Sequence, residues 1–236
     1  MIGIVIPAHN EQNYLHSCLD AVRLAASHPG LRGEAVCVTV ALDSCTDGSL
    51  AVVKQHAKLN AGTACTIDSI EVNARNVGVT RAAGVEHMLS LGARWLAFTD
   101  ADTVVSPAWL ATQLSLNVDV VCGTVAVDDW SPHSVNADAL HRHFLNSYND
   151  ADDHRHIHGA NMGVSAAAYR CAGGFEPLAC SEDVALVEAL KRSGARFAWS
   201  AAPRVTTSAR CDAKARGGFG DTLLHYAAIA QSQHAY

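Results

Sequence analysis

The sequence predicts an α/β chain, Rossmann-like, with a mostly parallel central sheet between two helical layers. Three observations predict it. Short apolar runs alternate with helical patterns through the first half of the chain. The 236 residues are 49% hydrophobic, enough for one substantial core, so a single domain over 1–236 is expected. Polar, largely acidic residues follow the apolar runs, where open α/β sheets bind their ligands.

Ile2 to Ile6, Ala35 to Leu42, Thr66 to Val72 and Trp95 to Thr99 read as buried strands. Between them, Glu11 to Ser27, Asp47 to Leu59 and Val77 to Leu91 have the apolar spacing of amphipathic helices. Asp47 reads as an N-cap, and Ser106-Pro107 as the cap-then-proline opening of a further helix. The repeated order strand, helix, strand makes the sheet parallel. After about residue 118 the pattern loosens. Asp119 to Val127 reads as one or two strands, Asn136 to Tyr148 and Ser181 to Arg192 as helices, and Gly217, Gly218 and Gly220 as a mobile loop before a final helix.

Charged residues make up 17% and the net charge is −6, which leaves no basic surface for nucleic acid. The cysteines at 18, 37, 45, 65, 122, 171, 180 and 211 form no C-x-x-C pair and read as mainly small core hydrophobes. Met1 to Pro7 lacks a basic n-region, and no apolar run reaches the roughly 20 residues of a membrane span. A cytoplasmic protein without an integral membrane segment is expected, and peripheral contact with a membrane complex is compatible with that. No G-x-G-x-x-G follows the first strand, which argues against a dinucleotide-dependent oxidoreductase.

The first strand ends in Pro7-Ala8-His9-Asn10-Glu11, the second in Asp43 to Ser49, and the fourth in Asp100-Ala101-Asp102. Each acidic cluster taken alone has a plain account: Asn10 and Asp47 as helix caps, Asp43 as a turn stabiliser. Asp-Ala-Asp asks for more, because a cap needs one carboxylate. Mg²⁺ or Mn²⁺ is held by one or two carboxylates plus substrate phosphate oxygens, which this pair can accommodate.

In this order, Ile4 to Glu11, Asp43 to Ser49, Asp-Ala-Asp, Gly159-Ala160-Asn161-Met162, Gly173-Gly174-Phe175 and Ser181-Glu182-Asp183 resemble a family 2 glycosyltransferase of the GT-A fold. The resemblance implies a nucleotide-binding half over 1–118 and an acceptor-binding half over 119–236 with a C-terminal lid loop. It implies that Pro7, Asn10 and Glu11 line the base and ribose pocket of a UDP- or GDP-sugar donor, and that Asp43 accepts a hydrogen bond from the base. Asn76 and Arg81 would approach the donor phosphates, Asp100 and Ala101 the donor, directly or through water, and Asp102 would ligate Mg²⁺ or Mn²⁺. Asp183 would be the general base for a hydroxyl acceptor, with Glu182 positioning it, in an inverting displacement. Gly159, Ala160 and Asn161 would lie on the acceptor side, and Arg210 and Arg216 in the lid. Processive relatives carry a Gln-x-x-Arg-Trp sequence, absent here, which implies addition of a single sugar.

Three features stay open. His154, His156 and His158 would share one face if the run were a strand, as a second metal site or an acceptor loop with one imidazole reaching the site. Trp130 and Tyr148 either shape an acceptor pocket or fill core. Phe98 to Thr103 also resembles the Asp-x-Asp-x-Thr of haloacid-dehalogenase-type phosphatases, though far from that family's first strand, and a nucleotide-sugar binding protein without turnover is the other alternative.

Overall fold

The structure, a computed structural model, describes residues 1–211. The expected loop at Gly217 to Gly220, the final helix and Arg216 lie outside the described residues. Among the described residues eight strands form one sheet: β1 (Ile2–Ala8), β2 (Val36–Asp43), β3 (Cys65–Val72), β4 (Trp95–Phe98), β5 (Thr103–Val105), β6 (Val120–Ala126), β7 (Met162–Ser165) and β8 (Phe197–Thr207). Their order is β3-β2-β1-β4-β7-β6-β8-β5. The run β3-β2-β1-β4 is parallel, as is β6-β8, whereas β7 runs antiparallel to β4 and β6, and β5 to β8. The mostly parallel α/β expectation therefore holds.

The helices are α1 (Leu15–Ala26), α2 (Ser49–Leu59), α3 (Val77–Ser90), α4 (Trp109–Ser115), α5 (Ala137–Ser147), α6 (Ala166–Ala172) and α7 (Glu182–Arg192). Strand alternation sorts them into two layers. Ile2, Ile4 and Ile6 pack with Leu15 of α1, Val53 of α2 and Leu110 of α4, while Val5 and Phe98 pack with Met88 of α3, Tyr169 of α6 and Leu190 of α7. Burial on both faces is why β1 and β2 are mostly apolar, with Thr39 the polar residue inside β2.

Several boundaries move. Glu11 to Tyr14 is a turn rather than the first turn of α1, with the Tyr14 N–H donating to Glu11 O at 3.0 Å. Gly48, not Asp47, is the N-cap of α2, although the Asp47 carboxylate still accepts the Ser49 N–H at 3.0 Å. Ser106-Pro107 forms a turn ahead of α4, whose first helical residue is Trp109. Four cysteines (18, 37, 65 and 122) are buried as expected, but Cys171, Cys180 and Cys211 are exposed. Among the described residues no helix is long and apolar enough to cross a membrane.

β1 has β2 on one side and β4 on the other, so the chain order reverses between β1 and β4. A crevice opens at such a switch point beyond the carboxyl ends of the strands. Here that edge carries Glu11 after β1 and Asp100 to Asp102 after β4. β5 starts one residue after Asp102 and pairs with β8, Thr103 opposite Thr207, which delivers Arg210 to the same edge.

Candidate active site

Two ion clusters occupy the switch point. In the first, Arg210 forks onto Glu11, Nη1 to Oε2 at 2.6 Å and Nη2 to Oε1 at 2.8 Å, and Nη2 also lies 3.1 Å from Asp102 Oδ2. The guanidinium rests on the Tyr14 ring, 5.2 Å from its centroid. Glu11 is fixed from its own backbone, whose N–H donates to Ser49 Oγ at 2.9 Å. Burial raises the Asp102 carboxyl to about 6; Arg210 opposes that rise, and Asp100 and Glu11 add to it.

In the second cluster, Arg81 on α3 is buried, its side chain 4% exposed, and bridges Glu182, the first residue of α7, to Asp100 Oδ1 at 2.5 Å. Gly159 packs so closely on this guanidinium that a Cβ there would overlap it. The Gly159 N–H donates to Asp183 Oδ2 at 2.8 Å, and the Val184 N–H to Asp183 Oδ1 at 2.8 Å. Glu182 and Asp183 stand in the first turn of α7, where negative charge is favoured. Burial nonetheless pushes the Glu182 carboxyl up, against the pull of Arg81. The Arg81 Nε is buried without a hydrogen-bond partner among the described residues. Among the described residues two guanidiniums meet four carboxylates, Glu11, Asp100, Asp102 and Glu182, and Asp183 stands beside them on backbone N–H groups, leaving excess negative charge at the edge.

The other expected site residues have different surroundings. The Asp43 carboxylate, expected to offer itself to a base, is filled by the chain: Ala74, Arg75 and Asn76 backbone N–H groups at 2.9, 2.9 and 3.0 Å, Thr80 Oγ1 at 2.8 Å and Ser44 Oγ at 3.0 Å. Burial works to raise its pKa, but these donors outweigh it and hold the carboxyl down at about 2. Asn76 caps α3, its Oδ1 accepting the Val79 N–H at 3.0 Å. Gly78 meets the backbone of Glu176 and Leu178, so this helix start is covered by a loop. Asn10 takes a positive φ of 55° and accepts the Thr46 N–H at 2.8 Å, tying the ends of β1 and β2 together. Pro7 is half-buried in β1 opposite Ala41, and Ala101 is buried.

Asn161 is fully buried. Its Nδ2 donates to Thr124 O and Pro203 O at 2.7 and 2.6 Å, and its Oδ1 accepts from Trp109 Nε1 at 2.9 Å. It cross-links the core. Ala160 is buried beside it, and of the three only Gly159 reaches the ion cluster.

The run 150–158 is not a strand, so the alternation argument for its histidines fails. The rings still share one side, by stacking: Phe144, Tyr148, His156 and His154 follow one another with centroids 4.6, 4.1 and 5.4 Å apart. His154 Nδ1 accepts the His156 N–H at 2.9 Å, which leaves its proton on Nε2 facing Cys122 O at 3.1 Å. Tyr148 Oη accepts the Val125 N–H and lies 2.9 Å from His158 Nε2. Burial, then the neighbouring imidazoles, holds His158 neutral, its pKa lowered to about 3. Trp130 is buried against Leu140 and Ala209, the core alternative for that residue.

A depressed imidazole has a defined sign for stability. Below its ordinary pKa of about 6.5 the unfolded chain takes up a proton that the folded His158 refuses, so stability falls as pH drops from about 6.5 toward 3. His158→Gln is expected to lessen that loss by about 2 kcal/mol between pH 7.5 and 5, read from urea unfolding at the two pH values. Parallel curves for the two proteins would contradict it.

Four parallel strands extended by an antiparallel segment, with carboxylates from β1 and β4 meeting at the switch point, define the GT-A glycosyltransferase fold. The chain belongs to glycosyl transferase family 2, whose family model matches residues 3–173. The resemblance read from the motifs is thereby borne out, and the Asp-x-Asp-x-Thr likeness to phosphatases stops at those letters. Among solved structures, Staphylococcus aureus TarS 1-349 in complex with UDP-GlcNAc is 14% identical, with a TM-score of 0.62 over 97% of this chain and 65% of that one. The mannosyltransferase PcManGT of Pyrobaculum calidifontis, in complex with GDP-Man and Mn²⁺, is 17% identical, with a TM-score of 0.61 over 99% of this chain and 74% of that one. GalNAc-T7 with UDP, GalNAc and Mn²⁺ is 12% identical, with a TM-score of 0.62 over 98% and 48%. The chain spans only 36% of the longer S. aureus TarS. Curated proteins gave no match by sequence.

Proposed function

We propose that this chain transfers one sugar from a UDP- or GDP-sugar to a hydroxyl acceptor by inverting displacement, with donor contacts from 1–118 and acceptor contacts from 119–236. One observation carries the reading: the Arg81 bridge puts a donor-edge carboxylate, Asp100, and the start of α7, with Asp183, in one cluster. Asp183 is held by the Gly159 and Val184 N–H groups, is half-buried, and among the described residues has no cation paired to it. It is the base: it takes the proton of the acceptor hydroxyl as that oxygen bonds to the anomeric carbon. The bond from that carbon to the phosphate oxygen breaks on the opposite face, and its electron pair leaves with the nucleoside diphosphate. Glu182, neutralised by Arg81, orients the helix start rather than moving a proton.

Among the described residues no group of three or more His, Cys, Asp or Glu side chains converges as a metal cage. Mg²⁺ and Mn²⁺ do not need one, and the half-buried, negatively surrounded Asp102 suits a hard cation that takes its other ligands from phosphates and water. Asp102 would hold it, with Asp100 reaching it through water, and the cation supplies Lewis-acid neutralisation of the departing diphosphate.

Thermal unfolding with UDP-GlcNAc or GDP-mannose plus Mn²⁺ tests the donor side. A ligand at about 100 times its Kd adds about 2.7 kcal/mol, a rise in Tm of roughly 5–10 °C for a chain of this size. The rise is expected to vanish with EDTA and in Asp102→Ala. An equal rise in EDTA, or in the variant, removes the metal from the reading.

A further inference from the structure

We propose that Arg210 is a resident counter-cation of the donor site, which a divalent metal must displace from Asp102 in order to bind. The proposal rests on the metal role of Asp102 given above and goes beyond it by naming the group that competes for that carboxylate.

The contacts of Arg210 are unequal. Its fork onto Glu11 uses both terminal nitrogens at 2.6 and 2.8 Å, the planar bidentate geometry in which guanidinium binds carboxylate most strongly. Its contact with Asp102 is a single one at 3.1 Å, from the Nη2 already donating to Glu11. Glu11 is the anchor and Asp102 the contact that yields. All three side chains are largely withdrawn from water, at 13%, 5% and 14% exposure, so charge interactions among them are weakly screened. Without Arg210, Glu11 and Asp102 would be two carboxylates facing each other at a half-buried edge with Asp100 close by.

A guanidinium at Asp102 and a divalent cation at Asp102 oppose each other twice: they share one carboxylate and they repel. The sequence places the competitor well. β8 pairs with β5 through Thr207 and Thr103, so the chain emerges from the sheet beside Asp102, and Arg210 arrives three residues later on the Tyr14 ring. Metal alone therefore meets a site that already has its cation. Metal arriving with a diphosphate brings the negative charge that a released guanidinium requires.

The test uses Mn²⁺ alone, titrated into the whole chain and followed by the electron paramagnetic resonance of free Mn²⁺. Arg210→Met and Arg210→Gln are expected to bind Mn²⁺ about tenfold more tightly than the unsubstituted chain, and adding Asp102→Asn to either is expected to cancel the gain. The glutamine keeps an N–H for Glu11, so it carries the test if the methionine variant unfolds, which thermal unfolding of each reports. Arg204→Met, which removes the same charge from an exposed pair with Asp150, is the control and is expected to leave the affinity unchanged. Equal affinity in the Arg210 variants and the parent overturns the proposal, as does an equal gain in Arg204→Met. Mn²⁺ binding that survives Asp102→Asn overturns the metal reading instead.

Discussion

Asp183→Asn is expected to lower kcat for sugar transfer by about 10²- to 10⁴-fold while leaving donor binding and folding near those of the parent chain. The side chain keeps its shape, but it can no longer accept a proton. The cost to stability is small because an amide oxygen can still take one of the two N–H groups, from Gly159 and Val184, that hold the carboxylate. One hydrogen bond is lost, about 1 kcal/mol. Nucleoside diphosphate release with an active acceptor measures the rate, and the Tm rise with donor and Mn²⁺ confirms that the donor side is intact. The contrast with Glu182→Gln is part of the expectation. Glu182 is buried on Arg81, so its loss falls mainly on stability. Full turnover in Asp183→Asn would assign the proton to another group and dissolve the ordering of the two carboxylates.

The parts of this arrangement legible in the sequence are those fixed by periodicity and position. β1, β2 and β4 are apolar runs because parallel strands are buried on both faces, and the carboxyl ends of such strands meet at one edge, so Glu11, Asp100 and Asp102 declare themselves. β5 and β7 have three and four residues, too short for a period to show. β8 carries Ala201-Ala202-Pro203 in its middle, and β6 slips register against it between Gly123 and Val125, so neither alternates cleanly. α6, Ala-rich and seven residues long, gives no amphipathic signal. In the site, sequence identified polar residues near strand ends but not which were already occupied. Asp43 spends its oxygens on the start of α3, and Asn161 three residues after His158 is a core cross-link. The pairs Arg81–Glu182 and Arg210–Glu11 join positions 101 and 199 apart, which no local pattern encodes.

The largest stability effect is expected from Arg81→Met, a loss of about 3–5 kcal/mol, because methionine fills much of the space but leaves Glu182 buried without its cation. Asp100, the other partner, is 35% exposed and can turn to water, so the burden falls on Glu182. Burial already pushes the Glu182 carboxyl up with Arg81 present, and removal of Arg81 takes away the main force holding it down. A carboxyl whose folded pKa stands above its unfolded one favours the folded state when protonated, and that advantage is lost as pH rises through the folded value. The deficit of Arg81→Met, measured against the parent by urea unfolding, is therefore expected to be smaller at pH 5 than at pH 8. Adding Glu182→Gln is expected to restore part of the loss at pH 8, since removing both charges costs less than stranding one. A deficit below about 1 kcal/mol, or one that does not vary with pH, would mean that Glu182 is hydrated and that the bridge from Asp100 to α7 is not what sets the position of Asp183.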